Sequence, residues 1–121
     1  MAELYRDWPT GDHAGDALQL MPDWLLRFVP RLYGQDGRGD EATVFVKWFG
    51  GRCTWLITEY DPGERIAFGW CDLGLGFPEL GYVSLDEVLS LRIPPMRLRI
   101  KRDLYFTPRP LRNAVKDEVH R

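Results

Sequence analysis

Cationic side chains are the clearest chemical feature of this sequence. Arg97, Arg99 and Lys101 alternate with Met96, Leu98 and Ile100, and Arg102, Arg109 and Arg112 follow. A strand over Met96 to Phe106 would project the first three cations to one side. Such a basic face suits phosphate or an acidic protein surface. It also suits a structural role, since Lys and Arg on an exposed edge strand discourage edge-to-edge association. Acidic residues earlier in the chain offer a third use, as internal partners. Lys47, between Phe45 and Phe49, has a similar choice. It fits a surface that stacks nucleic-acid bases, or an amphipathic side chain whose stem covers apolar atoms. The candidate binding set is therefore Lys47, Arg97, Arg99, Lys101, Arg102 and Arg109.

Acidic residues at strand ends and in loops, Glu59, Asp72, Glu79 and Asp103, carry the only other candidate chemistry. A convergent pair could hydrolyse a glycoside or hold Mg²⁺, although charged strand-end residues are mostly solvated. The two histidines, His13 and His120, lie near the chain ends, where a zinc site or a Ser-His-Asp arrangement finds no scaffold. Gly74-Leu75-Gly76 lacks the continuation of a nucleotide loop. No catalytic constellation, metal or cofactor is expected. Cys53 and Cys71, with no CxxC spacing, read as reduced thiols of a cytoplasmic protein.

These residues need elements to hold them. Thr43 to Phe49 has strand composition, and Gly50-Gly51 makes a two-residue hairpin turn. Pairing Phe49 with Arg52 sets Trp48 opposite Cys53 and Val46 opposite Trp55. Asp61-Pro62-Gly63-Glu64 reads as a type II turn, which sets Ile57 opposite Phe68 and Trp55 opposite Trp70. Both hairpins then give one core face: Val44, Val46, Trp48, Cys53, Trp55, Ile57, Ile66, Phe68 and Trp70. The other face, with Lys47, Thr54, Leu56 and Cys71, is mixed, so the two cysteines are expected to point apart.

Before this sheet, Pro22 and Asp23 suit a helix start, and Leu25, Phe28, Val29 and Leu32 follow at helical spacing up to a break at Pro30. After it come a strand over Leu80 to Val83, a capping box at Ser84-Leu85-Asp86-Glu87 with a short helix, and the basic strand. The fold class is α+β: an antiparallel β-meander of four to five strands, an N-terminal helix, and a short helix between the fourth and last strands. Residues 1–20 form an irregular lead-in, 21–111 a single domain, and 112–121 a polar tail with a weak helical turn.

The size and composition agree with one domain. The chain has 121 residues, 45% hydrophobic and 13% aromatic, enough for one core and too apolar for disorder. No apolar run approaches the ~18 residues of a membrane span, and the N-terminus lacks the pattern of a secretory leader. A formal net charge of −2 hides an asymmetry: residues 1–91 carry 7 basic and 15 acidic side chains, a net of −8, and residues 92–121 carry 9 and 3, a net of +6. Such asymmetry marks either an electrostatic partner surface or internal neutralisation.

The stretch from Met21 to Leu111 resembles a family of small bacterial proteins, a domain of unknown function met on plasmids and integrative conjugative elements. The residues that carry the resemblance are Trp55-Leu56-Ile57-Thr58-Glu59 with Asp61-Pro62, Phe68-Gly69, Glu79-Leu80-Gly81-Tyr82-Val83-Ser84-Leu85, and Lys101-Arg102-Asp103-Leu104-Tyr105-Phe106 with Pro108. The resemblance brings no site residue with it. It implies an accessory protein of mobile DNA in a bacterial cytoplasm. The expected function is non-enzymatic binding of a host or element-encoded protein, acting on a host protein or defence system and with no membrane involved. The alternative is direct nucleic-acid binding through the basic strand. A third reading is a hydrolase built on Glu59, Asp72 and Glu79.

Overall fold

The computed structural model describes residues 4–119 of the chain. It is an α+β fold whose centre is a five-stranded antiparallel sheet in the order β5-β4-β3-β2-β6. These strands are β2 (Val46–Gly50), β3 (Cys53–Asp61), β4 (Ile66–Asp72), β5 (Glu79–Ser84) and β6 (Lys101–Arg102), and β1 (Thr43–Val44) pairs with β7 (Arg109–Pro110) in a second, two-stranded sheet. The helices are α1 (Asp23–Leu26), α2 (Leu85–Ser90) and α3 (Leu111–Val119), with 3₁₀ turns at Gly11–Ala14 and Gly39–Glu41. Ser84 caps α2 as its sequence suggests, its hydroxyl accepting from the Glu87 backbone N–H at 3.3 Å.

The two hairpins form, each with a shifted register. In the first, Gly50 pairs with Cys53 and Trp48 with Trp55, so the turn is Gly51-Arg52. Gly51 at φ 55° supplies the one positive φ, the sign pattern of a type II′ turn. Gly50 stays in the strand because Ile100 lies against it: a Cβ there would sit 2.6 Å from the Ile100 Cδ1. The shift is by two residues, so faces are preserved. In the second hairpin the Asp61 carboxylate accepts from the Gly63 and Glu64 N–H groups. Arg65 at φ 58° takes the left-handed position expected of Gly63, and Asp61 pairs with Ile66.

A bulge between Ile57 and Glu59 then changes which side the later residues face. Beyond it Leu56 lies opposite Trp70 and Trp55 opposite Cys71. One extra residue in one strand reverses the alternation. The first core combines Val46, Trp48, Trp55, Ile57, Tyr60 and Ala67 with Leu20, Leu25, Leu85, Val88 and Ile100, and a break between β1 and β2 adds Phe45 to it in place of Val44. Trp70 moves to the opposite core with Val44, Leu56, Phe106, Leu111 and Ala114, and Phe68, opposite Glu59, turns to that side too. Cys71 joins Cys53 against the first core. The thiols thus share a face rather than pointing apart, and both are free.

The first and last described segments are built into the fold. The lead-in packs Tyr5 and Trp8 against Trp24, Phe28 and Phe45 in a chain of tilted and edge-on rings, and Leu20 is buried. The expected long helix after Pro22 is one turn. The expected strand over Met96 to Phe106 is reduced to β6, because residues 93–98 fold back on themselves through the Ile93–Leu98 bridge. The polar tail is α3, which lays Leu111 and Ala114 on the second face.

Candidate functional site

The six candidate cations separate into two groups. Lys47 is 5% exposed, and its ammonium is bonded to Glu118 on α3 at 2.6 Å. Arg102 is 4% exposed. Its guanidinium donates to the carbonyls of Ala14, Asp16 and Gln19 at 2.7, 3.3 and 2.8 Å and stacks near the Trp24 ring. Burial pulls its pKa down, with the Asp16 charge acting in the other direction. Arg109 bonds Thr107 and Asp117 and lies over Phe106, and Arg112 pairs with Glu41. Lys47 and Arg102, and Arg112 outside the candidate six, tie distant segments together, whereas Arg109 braces its own C-terminal stretch. Arg97, Arg99 and Lys101 are exposed and make no ion pair among the described residues. They do not share one strand face, since Arg97 has φ 58° in a turn and only Lys101 lies in β6.

The carboxylates do not converge. Glu59 is 6% exposed, and its two oxygens accept the backbone N–H groups of Tyr33 and Gln35 at 2.8 and 2.9 Å. Gln35 in turn bonds the carbonyls of Thr43 and Thr58 and accepts from the Thr43 N–H. Glu59 therefore anchors the loop after α1. Asp72, opposite Thr54, stands five residues further along the sheet, roughly 16–17 Å away at strand spacing. Glu79 lies opposite Cys71, beside Asp72. No group of three or more His, Cys, Asp or Glu among the described residues could hold a metal ion. His13 is exposed in the first 3₁₀ turn, and His120 lies outside the described residues. No helix of the described residues is long and apolar enough to cross a membrane.

A wide concavity lies elsewhere, on the first sheet face over β3, β4 and β5. It is an open groove of about 630 Å³. Its floor is Trp55, Ile57 and the paired glycines Gly69 and Gly81. A Cβ on Gly69 would collide with the Leu56 carbonyl oxygen, whereas one on Gly81 would meet nothing within 4 Å. The first glycine is required by close strand contact, and the second leaves a hollow. Val88, Glu87 and Leu91 form one wall, and Leu73, Leu75 and Phe77 the other. Leu75 and Phe77 are 73% and 81% exposed.

Cys71 at the floor and Cys53 near it are protonated at neutral pH. Burial pushes both thiols up, with Asp72 adding for Cys53 and Cys53 itself, Asp72 and Glu79 adding for Cys71. Neither is an activated nucleophile. On the opposite face of β5, Leu80 and Tyr82 are more than half exposed. Tyr82 packs its ring on Phe68 at 4.9 Å, and a hydrogen bond with Tyr33 raises its phenol pKa.

Among the described residues the groove joins apolar walls to two carboxylates, Glu79 and Glu87, an arrangement that can bind. Sequence reasoning passed over this groove because its lining lies in a Gly/Pro-rich connection with no period. Two signals were present: large apolar residues in a loop, Leu73, Leu75 and Phe77, and glycines inside strands, which mark close approaches or missing side chains.

Residues 32–116, which include the whole groove and every candidate cation, match the model of a family described as a protein of unknown function (DUF2958). No curated protein and no solved structure matches the chain.

Proposed function

Because the chain belongs to the DUF2958 family, whose match covers more than two thirds of it and brings no activity with it, we propose a function from its surfaces: a non-enzymatic binding protein that holds a partner protein in the groove between α2 and the 73–77 segment. The observation that carries this reading is the exposure of Leu73, Leu75, Phe77 and Leu91 around one concavity. Large contiguous apolar patches mark interaction sites on monomeric proteins. The residue types also fit, since interfaces favour aromatic and aliphatic anchors seated in a concavity. We place this activity in a bacterial cytoplasm, as an accessory function of a plasmid or conjugative element directed at a host protein or defence system. The resemblance noted in the sequence supports that context by analogy alone.

A specific observation favours one second reading, contact with nucleic acid. Arg97, Arg99 and Lys101 are exposed, without ion pairs among the described residues, and so available to phosphate. Affinity capture from bacterial lysate, with and without nuclease, separates the two. The first reading expects a captured protein that resists nuclease and is lost with Leu75→Ser/Phe77→Ser. Capture that requires nucleic acid, and is lost when Arg97, Arg99 and Lys101 become Gln, overturns it in favour of the second.

A further inference from the structure

Strand β5 is the bare edge of the sheet. It pairs with β4 alone, in an unbroken register from Cys71–Glu79 to Ile66–Ser84. Its sequence, Glu-Leu-Gly-Tyr-Val-Ser, holds no Pro, Lys or Arg, and no bulge twists it away. Natural sheets protect their edges with those devices, because an unpaired row of N–H and C=O groups is a template for another strand. Among the described residues, the backbone hydrogen bond near its end outside the β4 ladder joins the Leu85 N–H to the Arg65 carbonyl. The groove runs along this same edge. Glu79, Gly81 and Val83 point to the groove side and Leu80 and Tyr82 to the other, as strand alternation requires.

The charge at the site selects among occupants. Among the described residues, the groove lining carries full charge at Glu79 and Glu87, toward opposite ends of β5. A second copy of this chain is a poor match. Antiparallel pairing of two β5 strands would bring Glu79 of one copy toward the Ser84 end of the other, where Glu87 stands exposed beside the Arg65–Asp86 pair. Like charges would meet, and like-charge juxtaposition works against a complex. A foreign segment with a cation has the complementary sign.

We propose that β5 takes an extended segment of a partner protein as an added strand, with an apolar side chain over Gly81 and a Lys or Arg beside Glu79. This rests on the protein-binding reading above and specifies its mode. Main-chain bonding to the edge supplies affinity, and pockets at alternate positions supply specificity. Glu79 and Gly81 are two residues apart on one strand, so the cation and the large apolar residue of the bound segment are also two apart. The residues between and beyond them face Leu80 and Tyr82 and are apolar or aromatic.

The test is selection of a displayed dodecapeptide library on the full chain, followed by fluorescence anisotropy on the enriched peptides as synthetic probes. Enriched sequences are expected to carry Lys or Arg two positions from a large apolar residue. N-methylation of alternate amides in one frame should weaken binding by about tenfold or more, and in the other frame hardly at all, because only one set of amides faces a neighbouring strand. Glu79→Lys, at an exposed position, should weaken it by about tenfold while the melting temperature stays put. No enrichment, acidic enriched peptides, equal sensitivity of both N-methyl frames, or a dimer of the chain itself that Tyr82→Lys dissociates would overturn the proposal. If capture of a partner still depends on Leu75 and Phe77 while any of these outcomes holds, only the strand-addition mode falls. If capture is indifferent to Leu75 and Phe77, the protein-binding reading falls.

Discussion

The two edges of the five-stranded sheet face the same hazard and meet it differently. At β6 the backbone N–H of Arg102 donates to the Ala17 carbonyl at 2.7 Å, and its side chain gathers three more carbonyls of the lead-in. That segment seals the edge and buries a guanidinium in doing so. At β5 nothing among the described residues takes that place, although the strand is three times longer and more apolar. Exposed cations lead into β6 at Arg97 and Arg99 and start it at Lys101. Carboxylates and hydrophobic side chains surround β5, with one cation, Arg65, paired to Asp86 at its end. The contrast teaches that a basic run in a sequence is not a surface in itself. Arg102 and Lys101 are neighbours in one strand, and one is a buried tie while the other is solvated. The edge that looked unremarkable in the sequence is the one left open.

The largest expected effect lies at the sealed edge. Arg102→Ala removes the donor for the Ala14, Asp16 and Gln19 carbonyls and should lower stability by about 3–5 kcal/mol in urea denaturation. Tyr82→Lys at the open edge should change it by less than about 0.5 kcal/mol. Comparable losses from both would mean that β5 is no freer than β6.

Glu118→Ala comes next. It leaves the Lys47 ammonium, 7% exposed at the side chain, without its carboxylate and should cost about 2 kcal/mol. Lys47→Met/Glu118→Met should recover most of that loss, because two apolar groups replace a buried pair at little penalty. A double variant as unstable as the single one would show that α3 is held by something other than this pair.

A smaller effect sharpens the view of the groove. Leu75→Ser/Phe77→Ser should leave stability within about 0.5 kcal/mol, since both side chains are mostly solvated. A larger loss would place them in the core.

The smallest effect concerns protons. Cys53, Cys71 and Tyr60 are all shifted upward, chiefly by burial. An acid with a raised folded pKa keeps its proton longer in the folded state. Its contribution is present below the unfolded pKa and fades as pH climbs through the folded value. Stability should therefore hold through neutral pH and decline only above about pH 9–10. Alkylation of the thiols at pH 8 should be slower than for a free cysteine, measured by mass spectrometry. Fast labelling of both would contradict their burial.

What the sequence by itself determined is local. Alternation and turn residues were enough to place both hairpins, the pairing of Trp48, Trp55 and Ile57 on one face, and the Ser84-capped helix. Each depends on residues a few positions apart whose backbone preferences act alone. The same logic gave wrong sides to Trp70, Phe68 and Cys71, because a bulge at one residue of β3 has no composition signal and reverses everything after it. The fate of the cations was decided only by the tertiary structure. Lys47 meets Glu118 across 71 positions, and Arg102 reaches Gln19 and Ala14 across 83 and 88. No periodicity within a window relates residues so far apart. The groove belongs to the same class. Its hollow exists because Gly69 and Gly81 come opposite each other in register and α2 stands beside them, a juxtaposition that chain folding alone brings about.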